Sequence, residues 1–116
     1  MSEHNIGVGD VELKLGEQNV SLKPTLQAAI KLSGVQGGIT RMVDRCLNLE
    51  FDAIHTVIAQ GLGGNSKDLP GLIYDAGLIN LSDPCIRFLH NLANGGRPPA
   101  NIQEGQEEGP LAKNSQ

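Results

Sequence analysis

Val11-Glu12-Leu13-Lys14-Leu15, then Gly16-Glu17-Gln18-Asn19, then Val20-Ser21-Leu22 is the stretch whose reading decides the fold. Apolar residues at every second position place Val11, Leu13 and Leu15 on one face of a strand, with Glu12 and Lys14 on the other. Val20 and Leu22 repeat the alternation after a polar, glycine-containing turn, which predicts a β-hairpin. A lone two-stranded hairpin is marginal in water, so its apolar face needs a helical body to rest on.

The sequence downstream supplies that body as amphipathic segments separated by glycines. Pro24-Thr25 opens a first helix with Thr25 as N-cap, Leu26, Ala29 and Ile30 on the buried side, and Gly34 in the left-handed position that ends it. Gly37-Gly38 is a break. Ile39, Met42, Val43, Cys46 and Leu47 follow at i, i+3, i+4, i+7 and i+8, the pattern of a second helix. Asn48 is read as the cap of a third, carrying Phe51, Ile54, Val57 and Ile58 and stopping at Gly61. Gly61-Leu62-Gly63-Gly64-Asn65 is a link. Ser66 caps a short helix with Leu69, Leu72 and Ile73, in which Pro70 is tolerated in the first turn. The last helix is placed from Ser82, with Asp83 and Pro84 in its first turn, through Cys85, Ile86, Phe88, Leu89 and Leu92 to Gly95. Leu78 to Leu81 is either a preceding turn or an early start.

The predicted architecture is thus α+β and mostly α: a two-stranded hairpin and about five short helices over residues 11–96. Residues 1–10 are expected to be a flexible arm. Residues 97–116 are a polar tail with Ile102 and Leu111 as the sizeable apolar residues, too few to offset ordering entropy, and are expected to be disordered.

Composition narrows the function classes. The chain has 116 residues, no Trp, and Phe51, Phe88 and Tyr74 as its aromatics, so the core is aliphatic. The net charge is −4, with scattered basic residues, which argues against phosphate neutralisation and base stacking. No nucleic-acid partner is expected. The apolar runs are too short for a membrane span, the N-terminus has no signal-peptide pattern, and two cysteines do not make a secreted scaffold. A cytoplasmic location with reduced thiols is the expectation.

No catalytic pattern emerges. His4, His55, His90, Cys46 and Cys85 form no spaced pair of zinc ligands, and the cysteines read as small core residues. Gly63-Gly64-Asn65-Ser66-Lys67 lacks the Gly-Lys-Ser/Thr ending and the preceding strand of a phosphate loop. Ser66 and Ser82 read as helix caps rather than nucleophiles. Cys85 beside Arg87 has apolar neighbours that imply burial, and Glu50 and Asp52 suit a helix start. Neither an enzyme, a metal site nor a cofactor is expected.

The pattern from Gly9 to Gly96 resembles the small tail proteins of gene transfer agents and related siphophages. The resemblance lies in the hairpin Val11 to Leu22, the segment Lys23-Pro24-Thr25-Leu26-Gln27-Ala28-Ala29-Ile30, and the central helix Phe51 to Leu62. The Asp75-Ala76-Gly77-Leu78 turn and a last helix closing at Gly95-Gly96 extend it. Pro84 departs from it, standing where the family carries an uninterrupted helix. The resemblance implies a tail assembly chaperone that coats the tape measure protein and hands it to the tail tube protein, in the cytoplasm of a bacterial host, as the shorter of two forms related by frameshifting. Self-association is left open. The alternative it implies is a structural tail tube subunit, and a small adaptor domain is a third reading. Helices from Ile39 to Leu62 are the expected binding surface, with Phe51, Ile54 and Ile58 as contact candidates that the helical spacing also assigns to the core.

Overall fold

A computed structural model describes residues 7–99. Two strands, β1 (Val11–Leu15) and β2 (Gln18–Leu22), precede five helices: α1 (Leu26–Ser33), α2 (Gly38–Leu47), α3 (Phe51–Leu62), α4 (Leu69–Ala76) and α5 (Leu78–Ala93). The protein is α+β and mostly helical. Buried side chains from every one of these elements join in a single apolar cluster.

The hairpin forms where alternation places it, with Val11, Leu13 and Leu15 buried and Glu12 and Lys14 exposed. Its turn is shorter than the sequence reading. The antiparallel ladder runs from Val11↔Leu22 to Leu15↔Gln18, so Gln18 and Asn19 belong to β2 and Gly16-Glu17 alone make the turn. Gly16 has φ 65. Positive φ at the first central residue and not the second is the signature of a type II′ turn, whose twist matches the flanking strands.

Helix α3 lies at the centre. Its Ala53, Ile54, Val57, Ile58, Ala59 and Gly61 are all buried. Helix α3 runs one residue past Gly61, and the amides of Gly63 and Gly64 donate to Gln60 and Ala59 (3.2 and 2.9 Å) to close it. It begins after Glu50, whereas Asn48 ends α2, with its amide donating to the Asp44 carbonyl at 3.0 Å. Between them Leu49 takes φ 59, the left-handed region that costs a leucine roughly 1–2 kcal/mol. Because that side chain is partly in solvent, Leu49→Gly is expected to raise stability by about 0.5–1 kcal/mol, net of glycine's entropy. A lower urea midpoint would mean that the packing of Leu49 outweighs the strain.

Three helices depart from expectation. In α1, Thr25 caps as read, its Oγ1 accepting from the Ala28 amide at 3.1 Å. The buried residues, however, are Ala28 and Leu32, while Leu26 and Ile30 are 77 % and 56 % exposed. Gly34 has φ −80, and the left-handed residue is Gly37 at φ 90. Helix α5 starts at Leu78 rather than Ser82 and carries Pro84 inside it. Gly77 (φ 94) turns the chain, and the Asn80 and Leu81 amides donate back to its carbonyl at 3.0 and 3.2 Å. Leu81 is buried in the core, and that burial outweighs the local bias of proline against a preceding turn of helix. Helix α4 begins after Asp68 rather than Ser66, with Pro70 in its first turn and Gly77 at its end.

Both ends of the described residues are tied to the body of the fold. Asn91, buried, donates Nδ2 to the Gly9 carbonyl at 2.9 Å. Lys23 Nζ and Asp10 Oδ2 pair at 2.8 Å, and Asn94 Nδ2 donates to the Arg97 and Pro98 carbonyls at 3.0 and 3.2 Å. Gly9 passes so close to Gly96 that a Cβ on it would stand 2.0 Å from the Gly96 carbonyl oxygen. The remainder of the expected arm and tail, residues 1–6 and 100–116, lies outside the described residues.

Candidate functional site

The residue types able to carry chemistry are dispersed or already engaged. Among the described residues no three His, Cys, Asp or Glu side chains come together as a metal site. His4 lies outside the described residues. His55 sits on α3 with Nε2 3.0 Å from Asn65 Oδ1 and its ring 6.4 Å from that of Phe51. His90 is exposed on α5. Arg45 and Glu50 pair at 2.8 Å, a hydrogen bond that raises the guanidinium pKa further.

The glycine-rich loop after α3 has no amides to spare for a phosphate at its start, since Gly63 and Gly64 use theirs to close the helix. Ser66 accepts from the Leu69 amide through its backbone carbonyl at 3.2 Å, one residue pair before α4 begins. Ser82 is not a cap at all. Its hydroxyl donates to the Cys46 carbonyl at 3.0 Å and ties α5 to the end of α2. Cys46 and Cys85 are free thiols, both wholly buried, as their apolar neighbours predict.

A cleft of about 260 Å³ opens between the Gly7–Asp10 turn, α5 and Pro98-Pro99. Three of its polar groups are committed elsewhere: Asp10 to Lys23, Asn91 to Gly9, and Arg87 to Asp83 at 3.3 Å. What remains of the wall is Val8, Val11, the two prolines and the exposed His90, with no second reactive group beside that imidazole.

Of the three contact candidates, Phe51 is half-buried at the first turn of α3, and Ile54 and Ile58 have no exposed surface. Helix α3 is surrounded by β2, α1, α2, α4 and α5, so neither isoleucine can meet a partner in the folded state. Within the expected surface Ile39–Leu62 the exposed large apolar side chains are Leu47, Leu49 and Leu62, and others stand elsewhere. Leu26 and Ile30 stand one turn apart on the outer face of α1, and Leu26 lines a groove of about 200 Å³ between that helix and Leu92, Gly95 and Gly96. Tyr74 and Ile79, 76 % and 75 % exposed, edge an open hollow at the α4–α5 corner. Sequence spacing missed the first pair because α1 offers two overlapping stripes: Leu26, Ala29, Ile30 and Ala28, Leu32, Val35. The second continues to Val35, which packs on the core, and that continuation was the available signal.

No protein-family model matches the chain, and neither a curated protein nor a solved structure is found similar to it. The structure therefore defines a class rather than a relative: a small α+β protein, hairpin first, helices after. Within the described residues no helix is long and apolar enough to cross a membrane.

Proposed function

We propose that this chain is a non-enzymatic tail assembly chaperone of a phage-type or gene transfer agent tail, binding the tape measure protein in the host cytoplasm before the tail tube protein assembles around it. The observation that supports the reading is the pair Leu26 and Ile30, exposed on a capped helix, with Leu26 lining a groove beside it. A tape measure is a long helix with apolar stripes, and a helix laid along such a groove meets side chains at i and i+4. Exposed apolar side chains of this kind mark interaction surfaces when they adjoin one another. The contact is built from aliphatic residues rather than the Trp, Tyr and Arg of tight hot spots, which suits a coat that tube subunits must displace.

The alternative, a structural tail tube subunit, has less support. The described residues hold one sheet of two five-residue strands, and a ring wall needs long strands with paired edges.

The test is solubility of the tape measure protein refolded with and without this chain. The double variant Leu26→Asp/Ile30→Asp is expected to leave stability within about 0.5 kcal/mol, since both side chains are exposed. It is expected to weaken binding tenfold or more, about 1.4 kcal/mol. A tape measure that pellets equally in the presence and absence of the unaltered chain ends this reading.

A further inference from the structure

We propose that Cys46 and Cys85 are an oxidisable pair, joined by hydrogen peroxide into a disulfide that staples α2 to α5 in their native arrangement. The two thiols are placed for this by the helices themselves. Met42 and Cys46, four apart on α2, both face the core. Ser82 and Cys85, three apart on α5, share a face, and Ser82 is tied to the Cys46 backbone carbonyl at 3.0 Å. Cys85 is therefore brought over the last turn of α2, where its thiol neighbours that of Cys46 inside the same core. Neither has any exposed surface, and no other cysteine exists in the chain to compete.

The same contact divides the roles. The hydrogen bond from Cys85, with Arg45 adding to it, lowers the pKa of Cys46, whereas that bond and burial push Cys85 well up. Cys46 is thus the thiolate that attacks. It displaces hydroxide from the peroxide, breaking the O–O bond and forming a sulfenic acid, and the hydroxide leaves as water with the proton Cys46 gave up. The Cys85 sulfur then attacks the sulfenic sulfur, its proton leaving with the departing oxygen as a second water. Two thiols and one peroxide become one disulfide and two waters.

Access comes from α2, the cover over the pair. This ten-residue helix starts at Gly37-Gly38 without a side-chain cap and ends against the left-handed Leu49. Its outer residues Thr40, Arg41, Asp44 and Leu47 are exposed, so lifting its last turn, which gives up the Ser82–Cys46 and Arg45–Glu50 contacts, uncovers Cys46. Once formed, the bond closes the long loop that contains α3 and α4. Constraining the unfolded chain in this way raises the melting temperature by roughly 10 °C if the native geometry accepts the bond.

The experiment treats the full chain with hydrogen peroxide, quenches it, unfolds it in excess N-ethylmaleimide and weighs it. The expected product has lost two hydrogen atoms, takes no maleimide, stays monomeric on a non-reducing gel and melts higher than the reduced protein. Cys46→Ala and Cys85→Ala should each keep one labelled thiol and show no rise in melting temperature on treatment. Retention of both maleimide adducts after overnight exposure overturns the proposal. So do sulfinic acids without a cross-link, disulfide-linked dimers, or a cross-linked monomer that melts lower.

Discussion

Phe88→Ala is expected to lower the unfolding free energy by about 3–5 kcal/mol. A domain of this size is stable by roughly 5–15 kcal/mol, so the variant should be partly unfolded at moderate temperature. Phe88 is one of two phenylalanines in a chain without tryptophan, and it has no exposed surface. The core cluster that holds it is built of leucines, isoleucines, valines and small residues together with Met42. Met42, the one buried methionine among the described residues, lies on α2. The loss therefore includes a cavity cost as well as a transfer cost. Phe51→Ala is the matched control. Phe51 is half-buried at a helix end, and its truncation should cost no more than about 1–1.5 kcal/mol. Urea unfolding of both variants measures the difference. Equal losses, or a Phe88 loss under about 1.5 kcal/mol, would mean that the core is looser than its burial suggests.

The contrast between Phe51 and Phe88 shows what was legible in the residues and what was not. Alternation over Val11 to Leu15 is a period of two with charged residues between, and no other element satisfies it, so the hairpin could be read directly. The spacing of Met42 and Cys46 made α2 equally legible. The start of α5 was not. Pro84 biases the chain before it away from helix, and Leu78 to Leu81 form a helical turn because Leu81 finds a place in the core. The elements against which α5 packs include α2, α3 and β1, which lie far off in sequence.

Two of the three candidate contacts, Ile54 and Ile58, are sealed in the core for a related reason. Ile54 and Ile58 lie on a helix that neighbours surround, and periodicity reports one apolar face without saying how many partners cover it. Leu26 and Ile30 were assigned to the core on the same spacing rule, although the register of Thr25, Ala28 and Leu32 turns them outward. Local pattern locates a stripe. Which of two overlapping stripes is sealed depends on the tertiary neighbours of the helix.

Two helix glycines should respond to alanine with opposite signs, and the difference tests how the hairpin is seated. In isolation either substitution favours helix by about 1 kcal/mol. At Gly71 on α4 nothing lies within 4 Å of the added Cβ, so Gly71→Ala should realise most of that gain. At Gly61 on α3 the Cβ would stand 2.7 Å from the Leu22 Cβ and 3.2 Å from its Cα, so the neighbouring strand itself must move. Leu22 cannot yield alone. It ends β2 with no exposed surface, and the next residue, Lys23, donates its amide to the Gly61 carbonyl at 2.9 Å. Pushing the strand away stretches that bond and loosens Leu22 from the core together. Overpacking costs of about 1–3 kcal/mol then exceed the propensity gain, and Gly61→Ala should be destabilising overall by about 1–2 kcal/mol. Urea midpoints moving in the same direction for both variants would show that the hairpin rests on α3 less closely than the Gly61 contact requires. Because Pro24 and the Thr25 cap follow Lys23 directly, the seat also sets where α1 begins and hence which way Leu26 and Ile30 face. Under the proposed chaperone function, a Gly61→Ala protein that stays folded should therefore bind a tape measure protein more weakly, although neither Leu26 nor Ile30 has changed.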